Sequence, residues 1–202
     1  IATPIGILAA IYMQEYAKQG KLVKAIRFAT ESLAGIPSII YGLFGGIFFV
    51  TVLKLSFSIL SGALTVAIII LPLIIRTTEE ALKTVPKSYR EASLALGSTK
   101  FQTLYKVVLP SAVPGILSGI ILSVGRVIGE SAAIFLTAGT VAQMPSGIFD
   151  SARTLTVHAY LLTKESGDIQ TAAALGIVLI FIVLTLNTIA KVIAKKLNKA
   201  NY

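Results

Sequence analysis

Long, unbroken apolar runs dominate this chain, in place of alternating or one-sided patterns. Five are separated by polar stretches: Ile1 to Tyr12, about Phe28 or Leu33 to Leu53, Phe57 to Ile75, Val113 to Leu136, and Ala172 to Ile193. Crossing a bilayer takes roughly 20 apolar residues, a length the last four runs supply. The first is short and reads as the tail of a span that begins upstream of Ile1. In lipid every backbone polar group needs an internal partner, so only helices or closed barrels cross it. Continuous runs of this length read as helices. The expected fold class is all-α, a polytopic transmembrane helix bundle with five spans visible of an expected six.

Basic residues set the orientation. Lys18, Lys21, Lys24 and Arg27 follow the first run; Arg76, Lys83, Lys87, Arg90, Lys100 and Lys106 follow the third; Lys191, Lys195, Lys196 and Lys199 follow the fifth. The intervening loops hold only Lys54, Arg153 and Lys164. Alternating spans bring the three rich clusters to one side, the cytoplasm by the positive-inside rule. The expected location is a cell membrane, with the C-terminus and the loop after the third run inside.

Composition agrees. Of 202 residues, 55% are hydrophobic and 13% charged, against about a quarter charged in a soluble domain. Mean hydropathy is +0.85. The net charge of +9 flanks apolar runs and forms no aromatic-interleaved basic stripe, which argues against nucleic acid. The chain has no cysteine and one histidine, His158, so thiolate and multi-histidine metal sites are excluded.

The polar stretch from Pro86 to Pro110, PKSYREASLALGSTKFQTLYKVVLP, stands between the third and fourth runs. Ser88 and Glu91 have capping-box spacing, predicting a helix from Tyr89 to Leu96 with Ala92, Ala95 and Leu96 on a small apolar face. Gly97 sits where a left-handed C-cap is wanted. Thr99 and Gln102 repeat the capping signal, so a second helix begins there, carries Leu104, Val107 and Val108, and breaks at Pro110. A lipid anchor or channel has no need of such an elbow; a membrane protein gripped by a cytoplasmic motor does.

Within the runs, Ala34, Ser38, Gly42 and Gly46 form one small-residue stripe and Ser111, Gly115, Gly119 and Ser123 another, which let helices approach closely in lipid. Pro37, Pro72 and Pro114 are expected to kink or break their helices. Ala152 to Leu162 reads as an amphipathic helix in the external stretch Gly139 to Gly167, with His158 in a packing or hydrogen-bonding role. Arg126 and Glu130 stand inside the fourth run. A mid-membrane arginine costs about 2.5–3.5 kcal/mol on insertion scales. Their spacing lets the side chains meet on one helix face: either they neutralise each other, or Arg126 offers its planar fork to an oxyanion in a pathway while Glu130 holds it and limits anion retention.

Glu91-Ala92-Ser93, three residues, Gly97, nine residues and Val107-Val108-Leu109-Pro110 resemble the "EAA" motif of ATP-binding-cassette importer permeases, with Ser93 for an alanine and Val107 for isoleucine. The runs Glu31 to Gly45, Gly125 to Ala133 and Ala152 to His158 resemble phosphate importer permeases of the Pst system, closer to the A-type subunit. The resemblance covers nearly the whole chain. Where that family often has Glu-Thr-Ala-Pro, this chain has Glu130-Ser-Ala-Ala133; without the proline a less bent helix is expected. The resemblance implies a type I ABC importer permease domain over 1–202, with a cytoplasmic coupling loop at 86–110. Glu91, Ala92, Ser93, Gly97, Leu109 and Pro110 would contact the ATPase, and Arg126 and Glu130 would line the phosphate path. It also implies partners: a cytoplasmic ABC ATPase dimer, a homologous second permease and an extracytoplasmic phosphate-binding protein.

The chain has no G-x-x-x-x-G-K-[ST] loop, so the expectation is a non-catalytic subunit without a cofactor of its own, ATP and Mg being bound by the partner ATPases. The residues themselves point only to an anion. Phosphate over sulfate or molybdate comes from the resemblance. An ion-coupled secondary transporter with Arg126 and Glu130 as a relay is the competing class; no internal inverted repeat favours it.

Overall fold

The computed structural model describes the backbone of residues 1–199 and the side chains through Val192. The basic residues Lys195, Lys196 and Lys199 lie outside the described side chains. Every regular element among the described residues is helical. They are α1 (Ala2–Ile11), α2 (Lys21–Ala34), α3 (Ser38–Gly45), α4 (Ile59–Thr84), α5 (Lys87–Ala95), α6 (Lys100–Thr103), α7 (Leu109–Ile128), α8 (Ala132–Phe135), α9 (Leu155–Leu161) and α10 (Ile169–Lys199). Wide π turns extend the chain at Tyr12–Tyr16, Gly46–Val52, Leu104–Val108 and Leu162–Ser166.

Three helical stretches are long and apolar enough to span a membrane: Ile59–Thr84, Lys100–Ile128 and Ile169–Val192. The second apolar run is not one straight span. It breaks between α2 and α3, where Pro37 is extended (φ −58°, ψ 138°) and lacks the N–H a helix needs. That break separates Ala34 from Ser38, Gly42 and Gly46, so the first small-residue stripe is not continuous. Pro72 and Pro114, in contrast, sit inside continuous helices.

The chain forms two compact units. The first takes Ile1, residues 32–70 and residues 124–186. Its cores gather Val66, Ile134, Ala138, Val157 and Leu161, and Tyr41, Ile69 and Ala133. Gly42 is required by close approach: a Cβ there would stand 2.8 Å from the Ala133 backbone. The N-terminus of α4 is capped by carbonyls of a long loop: Ile59 N–H donates to Asp150 O at 2.9 Å and Leu60 N–H to Ile148 O at 2.9 Å. The helix expected over Ala152 to Leu162 is shorter, α9, entered through Thr154, whose hydroxyl accepts Val157 N–H. Asp168 caps α10, and hydrogen bonding from Thr171 holds its carboxyl below the usual carboxylate range. The apolar stretch of α10 has no buried residue.

The second unit takes residues 2–31, 71–123 and the C-terminal part from 187. Its main core joins Ala81, Leu82 and Val85 of the α4 end to Leu104, Val108, Ala112 and Ile116. Gly115 faces Ala81 and Gly119 faces Thr77, so the second small-residue stripe packs α7 on α4 within this chain. Arg27 pairs with buried Glu79 at 3.0 Å, a tie that basic-residue counting along the sequence does not reveal.

Candidate functional site

Two places carry the residues singled out by the sequence, one in each unit. The first is the elbow after α4. Pro86, with ψ 140°, ends one helix and starts the next directly, and no side chain caps it. Helix α5 therefore begins at Lys87, and Ser88 lies within its first turn. The expected Ser88–Glu91 capping box does not form, because a box needs the serine outside the helix. The other local signals are realised. Gly97 has φ +84°, its N–H donates to Leu94 O at 3.0 Å, and Ser98 N–H reaches Ser93 O at 3.2 Å, the paired bonds of a Schellman ending. Thr99 and Gln102 form a reciprocal capping box, Gln102 N–H to Thr99 Oγ1 at 3.2 Å and Thr99 N–H to Gln102 Oε1 at 2.9 Å. Two satisfied ends meet at one glycine, which makes the corner stiff.

The helix does not break at Pro110, contrary to expectation. A proline ring collides with the carbonyl four residues back and leaves a bond unmade. Here the π turn at Leu104–Val108 precedes it, Leu109 N–H donating to Leu104 O, and this widening admits the ring, as local π adjustments do in membrane helices. The helix runs on through α7. Leu109 packs against the core cluster beneath the elbow and Pro110 is half-buried; both root the loop. Glu91 and Ala92 are exposed, and Ser93 is half-buried with its hydroxyl 3.0 Å from that of Thr103. Beside them stand large apolar groups in the open: Leu96 at 88% exposure, Phe101 at 67% and Tyr105 at 65%, the two rings stacked at 6.4 Å. The sequence reading passed over this pair, although aromatic residues one turn apart in a polar loop were the available signal.

The second place is the end of α7. Arg126 lies in its last turn. The helix stops at Ile128, although no proline follows, because Gly129 and Glu130 turn away: Glu130 N–H donates to Val127 O at 3.1 Å. The expected shared face for Arg126 and Glu130 is thereby lost. The Glu130 carboxylate accepts Ala133 N–H at 3.2 Å and is buried, and its carbonyl accepts the Thr156 hydroxyl at 2.9 Å. Glu130 thus starts α8 and binds the break to α9. Among the described residues Arg126 makes no hydrogen bond or ion pair and is exposed. In the same unit the Tyr41 phenol donates to Leu33 O at 2.7 Å. A cavity of about 250 Å³ lies in this unit, lined by Ile39, Ser131, Ala132, Phe135, Leu136 and Tyr160. Its walls are mostly apolar, which suits no anion. The side chain of His158 is half-buried with Nδ1 unpartnered. No cluster of three metal-ligating side chains occurs among the described residues.

The family model for the inner membrane component of binding-protein-dependent transport systems matches residues 2–200. A probable ABC transporter permease protein, YqgI, of Bacillus subtilis is 38% identical over 95% of this chain and 70% of its own length. The phosphate transport system permease protein PstA 1 of Mycobacterium tuberculosis is 34% identical over 96% of this chain and 64% of its own. PstA of Yersinia pestis is 36% identical over 97% and 67%. The chain thus spans about two thirds of these relatives. Among solved structures, an inward-facing form of the MetNI methionine ABC transporter superposes with a TM-score of 0.78 over 97% of this chain and 87% of that one, at 19% identity, a likeness of fold.

Proposed function

Because this chain belongs to the family of inner membrane components of binding-protein-dependent transport systems, we propose that it is the permease subunit of an ATP-driven importer for inorganic phosphate. The elbow carries the reading. Its corner is fixed by caps on both sides, and it holds out Leu96, Phe101 and Tyr105, an apolar patch of the kind that marks a protein contact. Its partner is the cytoplasmic ABC ATPase dimer, which supplies ATP, Mg and force, with Glu91, Ala92, Ser93 and Gly97 at the contact and Leu109 and Pro110 seating the loop. The basic residues around the elbow support a cytoplasmic side for it. A homologous second permease completes the conduit, and an extracytoplasmic phosphate-binding protein delivers to the side that bears Gly139 to Gly167.

Arg126 is the anion contact. An arginine left without a counter-ion in an apolar span is costly and is retained where a ligand or a water-filled route meets it. Its planar fork matches two oxygens of a tetrahedral oxyanion. Glu130, four residues further along the chain, is the charge that repels an anion that lingers. Phosphate as cargo rests on the relatives named for phosphate transport. The test is labelled phosphate uptake by the complete complex with excess sulfate or molybdate as competitor. Undiminished uptake supports phosphate, inhibition by either competitor replaces it with a broader oxyanion, and uptake without any ATPase refutes the importer reading.

A further inference from the structure

Helix α5 has no buried residue, so apolar packing does not hold it. A void of about 110 Å³ behind it, bordered by Tyr16, Leu94, Thr103 and Leu104 among others, removes further contact on that side. What does hold it is polar. Arg90 projects from α5 and donates from Nη1 to Val85 O at 2.7 Å, and from Nη2 to both Leu82 O at 2.9 Å and Glu15 Oε1 at 2.8 Å. Leu82 and Val85 mark the end of α4, where helix carbonyls lack intrahelical partners. Glu15 lies in the π turn after α1. The side chains of both ions are about four-fifths buried, so solvent competes weakly for them.

We propose that Arg90 is the pin that transmits ATPase movement from α5 to the rest of its unit, with Glu15 as its charged seat. The inference rests on the coupling function proposed above. One guanidinium ties three pieces of chain: helix α5, the terminus of the α4 span and the segment after α1. That segment is closed onto α4 a second time. Gln19 donates to Met13 O at 3.2 Å, Arg27 donates to Gln19 Oε1 at 3.3 Å, and Arg27 also pairs with Glu79 of α4. A push on α5 therefore reaches α1 and α4 together through Arg90. Without that pin the stiff corner and the Ser93–Thr103 hydroxyl bond at 3.0 Å still hold α5 to the second arm of the elbow, but the direct tie from α5 to the segment after α1 is lost. Arg90 touches neither anion nor nucleotide; it is a positioning residue.

The experiment uses the complete importer in proteoliposomes, reading phosphate uptake per ATP hydrolysed, in a background carrying Ser88→Cys, an exposed position of α5 outside the named contact residues; the chain has no cysteine of its own. An engineered cysteine on the ATPase reports docking by crosslinking. Arg90→Ala is expected to crosslink as well as its parent while uptake per ATP falls by about tenfold or more, the loss expected for charge-assisted bonds. Arg90→Lys keeps the charge but cannot reach all three acceptors, and falls partway. Glu15→Gln keeps an acceptor and falls least. Should Arg90→Ala fail to assemble, the Lys and Gln variants decide on the same ratio. A normal ratio with crosslinking intact overturns the pin and leaves the coupling reading standing. Loss of the crosslink in Arg90→Ala makes Arg90 a docking residue and overturns transmission. A parent that never crosslinks removes the coupling reading itself, and the pin with it.

Discussion

Arg90 and Arg126 are the same residue in opposite states. Arg90 is mostly buried and its donors meet two carbonyls and a carboxylate. Arg126 stands at the end of a membrane span, exposed, with its nearest acidic neighbour in sequence turned to another task. A charge whose bonds are all made locally fixes a shape. A charge without local bonds stays free to meet something that arrives. Under the proposed function the elbow serves mechanics and the α7 end serves cargo, and each half can be attacked by substitution.

The largest expected effect is on cargo. Arg126→Ala removes no bond within the described fold, so the complex should assemble in normal amount while phosphate uptake drops about 100-fold, the loss of a two-bond charged fork. Normal uptake would erase the contrast. Arg27 sharpens it from the other side. Its pair with Glu79 is mostly buried, Arg27 at 27% and Glu79 at 7% exposure. Arg27→Met strands the glutamate and should destabilise the complex by about 3 kcal/mol, read as a lower melting temperature. Removing Arg27 should thus cost stability, and removing the unpaired Arg126 should cost transport. Next comes the corner. Gly97 has φ +84° and open space where a Cβ would go, so Gly97→Ala is penalised by backbone alone, about 1–2 kcal/mol. Thermal melts should register that penalty, and uptake per ATP should fall as the elbow loosens.

What the sequence made legible follows the range of the interactions. Gly97 and the Thr99–Gln102 box act over a few residues, and both were readable. So were the long apolar helices, because lipid leaves the backbone few options. The Ser88–Glu91 box was misread because Pro86 stands at the N-cap and α5 begins at Lys87, a two-residue shift that spacing alone does not carry. Pro110 was misread because a π turn leaves no compositional mark. Arg126 and Glu130 stand out in an apolar run, but their pairing assumed a helix that Gly129 ends. Arg90 was counted only as a positive charge. Its acceptors Leu82 O and Glu15 lie on other elements, and backbone carbonyls have no sequence signature at all.

Glu130 offers the smallest and most discriminating change. Its carboxylate caps α8 through one oxygen accepting Ala133 N–H, and a glutamine oxygen can accept the same bond. Glu130→Gln therefore removes charge without removing the cap, so assembly and melting temperature should stay near those of the parent. If the carboxylate also repels a lingering anion, its loss lets phosphate dwell at Arg126. Apparent KM should fall about two- to threefold, the scale of one weak charge interaction, and kcat should fall with it as release slows. A variant with a lower melting temperature and unchanged KM would confine Glu130 to the fold. Arg126 would then be the sole charge of the proposed route, and the division between paired and unpaired ions would become sharper still.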